Sequence, residues 1–232
     1  MTRLLISVAS AAEATLALQG GADIIDGKDA AAGPLAALAT DTLRAIVAAV
    51  AGQRPVSATI GDWPAEPSLL LEQAERIAAT GVDWVKVGFY PGGDWQACLR
   101  ALSPLARRVP MIGLLFADRT PTPHKHVADF SEAGFSGVML DTADKSGGGL
   151  RRHLDNTAMA RFATEAAGHG LQCGLAGSLT VEDIATLAAI RPSVLGFRGA
   201  ACRHGQRATG IDATRLAALR EALDHALAAT AG

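Results

Sequence analysis

Lysine is scarce in this sequence. Lys and Arg together number 21, yet only Lys28, Lys86, Lys125 and Lys145 are lysine, and arginine serves as the cation everywhere else. An ammonium can lose its proton and attack a carbonyl, which a guanidinium cannot, so the positions that keep lysine are worth locating. Cysteine is nearly as rare. Cys98, Cys173 and Cys202 are too few and too scattered for a disulfide framework or a four-ligand zinc site, and a reducing cytoplasm is the expected setting. Charge of one sign is missing too: the formal net charge is −2, which argues against a nucleic-acid partner. No apolar run approaches the roughly 20 residues of a membrane span, so no membrane partner is expected. The opening MTRLLISVASAAEA has the flavour of a signal peptide, but its apolar run is short and leads into a helical pattern, so it is read as a buried first strand. No G-x-G-x-x-G follows that strand, which leaves a dinucleotide-binding sheet as the weaker alternative.

What is present is alternation. Hydrophobic residues make up 49% of 232 positions, enough for one core. Short apolar, β-branched runs alternate with alanine-rich helical segments. The runs are LLISVAS, ADIIDGK, PVSATIG, DWVKVGFY, VPMIGLLFA, FSGVMLDT, LQCGLAG and VLGFRG. The spacing predicts helices beginning near Ala11, Thr40, Ser68, Gly93, His124, Asn156, Thr180 and Asp212, with Thr180 as a cap before Val181, Glu182 and Asp183. Strands apolar on both faces and joined through helices form a parallel sheet. About eight such units predict an α/β fold, a single-domain (β/α)8 TIM barrel over 1–232 with no linker dividing it.

In such a barrel the strand ends and the loops that follow them form the active face. Three of the four lysines fall there: Lys28 ends the second strand, Lys86 lies in the fourth, and Lys145 follows the sixth. A period of two puts Asp26 with Lys28 on one face and Trp84, Lys86 and Gly88 on one face, with Val85 and Val87 opposite. Lys86 is therefore predicted to point into the barrel. Lys28, Lys86, Asp141 and Arg198 come from even-numbered strands, and barrel layers draw on alternate strands, so they are expected to form one polar layer. Amines crowded by cations or apolar walls are poised to attack aldehydes, and Asp26 and Asp141 are placed to shuttle protons. The bland reading is that Lys28 is a solvated loop lysine and Lys86 a paired buried cation.

The loops after the seventh and eighth strands read LAGSLT and FRGAACRHG. Gly177, Ser178, Gly199 and Ala200 would let backbone N–H groups approach a phosphate, with Arg198 adding charge. Turn-making alone also explains these glycines. His124 and His126 lack a companion ligand at metal spacing and are read as an exposed helix start; no metal and no cofactor is expected. Gly147, Gly148 and Gly149 suggest a mobile loop at the mouth of the site.

The blocks GGADIIDGK, VSATIGD, DWVKVGFY, MLDTADKSGGGL, LAGSL and GFRGAACRHGQR, in this order, resemble the (5-formylfuran-3-yl)methyl phosphate synthase family, also called 4-(hydroxymethyl)-2-furancarboxaldehyde-phosphate synthase, from the first strand to about Arg207. The resemblance implies a barrel enzyme of methanofuran biosynthesis, a lyase that condenses two molecules of glyceraldehyde 3-phosphate. It implies further that Lys28 is the Schiff-base lysine and Lys86 the general acid/base, with Asp26, Asp141 and Lys145 as the other polar site residues. After the strand-two lysine the family commonly shows a proline and a Gly-Ser-Leu-Gly run; here the segment reads KDAAAGPLAA, so loop geometry is expected to differ. Two other readings stay open: a different imine-forming barrel aldolase acting on a sugar phosphate, and a non-catalytic barrel that binds a phosphorylated metabolite. Helices this rich in alanine pack closely, and a homo-oligomer is expected.

Overall fold

The structure, a computed structural model, describes residues 1–29, 32–144 and 147–231. Eight strands, β1 (Arg3–Val8), β2 (Ile24–Gly27), β3 (Val56–Thr59), β4 (Trp84–Phe89), β5 (Met111–Phe116), β6 (Gly137–Asp141), β7 (Gln172–Leu175) and β8 (Val194–Phe197), pair in sequence order and close β8 onto β1. Every pairing is parallel. The fold is a TIM barrel, as the alternation predicts. Closure removes both sheet edges, so no strand is left with unpaired backbone groups along its length.

The helices are α1 (Ala11–Gln19), α2 (Thr40–Val50), α3 (Pro67–Ala78), α4 (Trp95–Ala106), α5 (Val127–Glu132), α6 (Leu150–His153), α7 (Asn156–Gly168), α8 (Ile184–Ala188) and α9 (Ala213–Ala231). They bury Leu43, Ile46, Leu102, Phe162, Leu216 and Leu223 against the outward faces of the strands, in one continuous core with Val85 and Val87. Their caps follow local chemistry. Ser10 accepts from the Glu13 N–H and Asp94 from the Ala97 N–H, each satisfying a donor that the first turn orphans. Thr180 is the expected cap, and the structure adds Asp183 as its partner in a reciprocal capping box. Three segments differ from expectation: after Thr180 the chain makes a 3-10 turn, Val181–Asp183, before α8 begins. Around His124 the chain makes a 3-10 turn, Pro123–His126, before α5 begins. The short α6 has no counterpart in the sequence reading, because four residues are too few to show a period.

Inside the barrel the period of two holds. Leu5 and Ile24 form a small apolar cluster with Val194 near the N-terminal end, and two residues along each strand Ser7 sits opposite Asp26 in the β1–β2 register. Nearer the C-terminal end Leu35, from the loop after β2, enters the barrel and packs with Ile112, Leu114, Phe116, Met139 and Ala176. Gly88 makes room for it: a Cβ there would overlap Leu35 Cδ1. Among the described residues no helix is long and apolar enough to cross a membrane.

Candidate active site

Between those two apolar layers lies a charged one. Asp26, wholly buried at the end of β2, accepts hydrogen bonds from Ser7 Oγ on β1 (2.9 Å), Ser57 Oγ on β3 (2.7 Å) and Lys86 Nζ on β4 (2.8 Å). One residue past β2, Lys28 Nζ stands 3.6 Å from Asp141 Oδ2 at the end of β6. Both lysines are buried, Lys28 at 6% and Lys86 at 3% relative exposure. Lys28 is thus not a solvated loop lysine. Burying an ion costs several kcal/mol, which is why each charge here has a partner and both oxygens of Asp26 are hydrogen-bonded. Burial pushes the Asp26 carboxyl up, but Lys86, Lys28 and the hydrogen bonds from Lys86 and Ser57 together hold it below its ordinary value of 3.8. Asp26 is an anion, and Lys86 is held at its side.

The loops after β6, β7 and β8 surround this layer. Asp141 Oδ1 accepts the Thr142 N–H (2.7 Å), and Asp118 accepts the N–H groups of Ala143 and Asp144. Lys145, a predicted site residue on the same loop, lies outside the described residues. Gly177 has φ +107°, and a Cβ there would stand 3.0 Å from the Thr142 nitrogen, so only glycine lets the β7 loop lie against the end of β6. Ser178 follows with φ 49°, a left-handed conformation that non-glycine residues adopt at a cost. The Gly177 carbonyl accepts from Leu150 at the start of α6 (2.9 Å), so the end of the glycine run is fastened to the β7 loop. The N–H groups of Gly177, Ser178, Gly199 and Ala200 have no acceptor among the described residues. These four predicted residues, with Lys28, Lys86, Asp141 and Arg198, line one cleft of about 720 Å³.

Arg198 departs from the expected layer. Its guanidinium turns to Glu13 of α1 (Nη1 to Oε2, 2.5 Å; Nη2 to Oε1, 3.2 Å) and to the carbonyls of Ser7, Arg207 and Thr209. Strand parity places a Cα but does not choose between carboxylates, and a bidentate carboxylate outcompetes a layer that already holds two lysines.

A family model described as 4-HFC-P synthase matches residues 4–220. The chain belongs to the 4-HFC-P synthase family. A Methylorubrum extorquens protein provisionally named (5-formylfuran-3-yl)methyl phosphate synthase is 42% identical over 221 residues, spanning 95% of this chain and 91% of its own. The (5-formylfuran-3-yl)methyl phosphate synthases of Methanosarcina mazei (34% identity; 90% of this chain, 94% of theirs) and Methanopyrus kandleri (35%; 90% and 92%) are similar throughout. Among solved structures, phosphoribosyl anthranilate isomerase from Thermus thermophilus superposes with a TM-score of 0.67 at 19% identity, over 97% of this chain and 99% of its own. The 3-hexulose-6-phosphate synthase of Salmonella typhimurium gives 0.64 at 15%, over 97% and 100%. At such identities these two show the fold alone. The family name indicates an enzyme that makes (5-formylfuran-3-yl)methyl phosphate.

Several residues of this 4-HFC-P synthase family member escape a search for lysines and glycines. Ser7 and Ser57 are isolated hydroxyls in buried strands, at the parity of Asp26; that parity was the available signal. Asp62 accepts the Leu35 N–H and a hydrogen bond from Tyr90, whose ring stacks on Phe116 at 4.2 Å. Burial and then Asp62 hold the Tyr90 phenol far above its ordinary value, so Tyr90 stays protonated as the donor. Together they hold Leu35, in the loop after β2, at the barrel mouth, and Asp29 and Thr59 bond to the neighbouring Ala36. No sequence period links residues so far apart in the chain.

Proposed function

We propose that the chain condenses two molecules of glyceraldehyde 3-phosphate into (5-formylfuran-3-yl)methyl phosphate, the lyase reaction of methanofuran biosynthesis, through an imine on Lys28. The observation that carries this reading is the pair of buried lysine–aspartate couples, Lys28 with Asp141 and Lys86 with Asp26, at the C-terminal end of the barrel, in a cleft bordered by backbone N–H groups. The atoms balance: two triose phosphates minus one phosphate and two waters equal the product, with no net oxidation. Each step then needs proton transfers and an electron sink, and a lysine imine supplies the sink.

Lys28 Nζ adds to the C1 aldehyde of one triose phosphate, and loss of water leaves the imine. The proton that Lys28 sheds has a carboxylate acceptor in Asp141 at 3.6 Å. Lys86, anchored by Asp26, moves the proton on C2, giving an enamine from which the C3 phosphate departs. Asp141 and Lys145 assist that elimination and the later dehydrations. The N–H groups of Gly177, Ser178, Gly199 and Ala200 receive the phosphate that is retained, and Arg198 fixes the loop that carries two of them. Backbone donors suit this task because they are preorganised and carry no charge that must be neutralised before binding.

Incubation with glyceraldehyde 3-phosphate and borohydride, then peptide mass spectrometry, is expected to find a triose adduct on Lys28 and none in a Lys28→Ala variant. A folded wild-type protein with no adduct there overturns the mechanism. The furan aldehyde should appear in parallel as strong ultraviolet absorbance; another aldolase would form the adduct without it, and an inert binding barrel would give neither.

A further inference from the structure

Among the described residues, the wall of the cleft holds a half-buried cation that the proposed chemistry leaves unused, Arg207. Among the described residues that line it, Lys28 pairs with Asp141, Lys86 with Asp26 and Arg198 with Glu13, while Arg215 is exposed on α9. Arg207, half-buried in the wall, has no carboxylate among the described residues within ion-pair distance. Its side chain makes a single, long hydrogen bond, from Nη2 to the Gly33 carbonyl (3.3 Å). Its Nε is enclosed and has no acceptor among the described residues. Burial pulls the basicity of Arg207 down while Asp141 and Asp62 favour its charge, which places it in the field of the reacting layer; an arginine nevertheless keeps its proton. A buried N–H without a partner is costly, and a guanidinium with open donors is suited to the fork geometry of a phosphate.

Its backbone is held in place. Arg198 donates from Nε to the Arg207 carbonyl (3.0 Å) and from Nη2 to that of Thr209 (3.3 Å) while gripping Glu13. The arginine singled out by the sequence thus positions a second one, whose side chain reaches from the β8 loop across the end of β1 to the loop after β2. That is the Lys28 side of the cleft, whereas Gly177 and Ser178 belong to the β7 loop.

We propose that Arg207 binds a second phosphate, that of the triose beside Lys28, separately from the phosphate received by the β7 and β8 loops, and that Arg198 and Glu13 are positioning residues for it. This rests on the condensation reading, in which two phosphorylated substrates must share the cleft.

The test compares wild type with Arg207→Gln and Arg207→Lys, each shown by circular dichroism to be folded, using the concentration dependence of borohydride trapping at Lys28. With glyceraldehyde 3-phosphate the half-saturating concentration should rise about 10-fold or more in Arg207→Gln and less in Arg207→Lys. With unphosphorylated glyceraldehyde it should not change. Equal weakening of both aldehydes, or no change in either, overturns the proposal and leaves the imine reading intact. If wild type traps neither aldehyde, the condensation reading fails, and inorganic phosphate still tests Arg207: phosphate should raise the melting temperature of wild type more than that of Arg207→Gln, and an equal rise overturns the assignment. Glu13→Gln should raise KM for the triose phosphate with little change in kcat; a fall in kcat alone removes the positioning role.

Discussion

Lys86 carries a cation into a mostly apolar barrel interior, where among the described residues it shares a charged layer with Asp26, Lys28 and Asp141. Replacing it by methionine removes a partner rather than a pair, leaving the Asp26 anion without its counter-ion. Lys86→Met is therefore expected to lose about 3–5 kcal/mol of stability in urea unfolding. The double variant Asp26→Asn/Lys86→Met should lose less than the two single changes added together, because the uncompensated charge is gone; strict additivity would refute the pairing. Catalysis separates from stability by a different measurement: Lys86→Ala should still form the Lys28 adduct but turn over about 100- to 10,000-fold more slowly. Asp26 also sets a pH dependence. Its carboxyl is held below the ordinary value of 3.8 in the folded state, so its contribution is complete above the unfolded value, near pH 4, and drains away as pH falls through the depressed one. Asp26→Asn should flatten the loss of stability below about pH 4 and leave the slope above pH 5 unchanged.

The loop after β2 shows what an element adds to its residues. It contains the segment in which the sequence departs from the familiar pattern, yet Leu35 from this loop is wholly buried inside the barrel and fills the space left by Gly88. Leu35→Ala is expected to cost about 2–5 kcal/mol, a core-sized loss from a loop position, and to weaken capture of the aldehyde as the apolar wall above Lys28 opens. A loss below about 1 kcal/mol would mean that Leu35 is not the plug. The eight strands and most helices were legible because period two and helical periods survive in the sequence. Lys28, Lys86 and Asp26 were legible because strand parity assigns them a face, and Asp141 because it ends an even-numbered strand. Leu35, Asp62, Tyr90 and Arg207 were not, since loops carry no period and their partners come from distant turns. Arg198 was found by position but not by direction: Glu13, on another element, decides where its guanidinium points.

For the whole molecule the proposed reaction makes a demand on stoichiometry. Two triose phosphates should disappear for each furan aldehyde formed and each inorganic phosphate released, and coupled phosphate detection against ultraviolet absorbance measures both products. Phosphate release without absorbance would reduce the chemistry to simple elimination, and neither product would leave a binding barrel. By itself the sequence determined the closed parallel barrel, the inward direction of Lys86 and the family, because apolar periodicity, strand parity and ordered motif blocks are properties of the chain. Only the tertiary structure decided which charges pair, that Ser7 and Ser57 satisfy Asp26, that Arg198 is committed to Glu13, and that Arg207 lines the cleft with its Nε unpartnered among the described residues. Those outcomes depend on distances between side chains far apart in sequence, and in a desolvated interior an ångström or two of separation decides which ion pair forms.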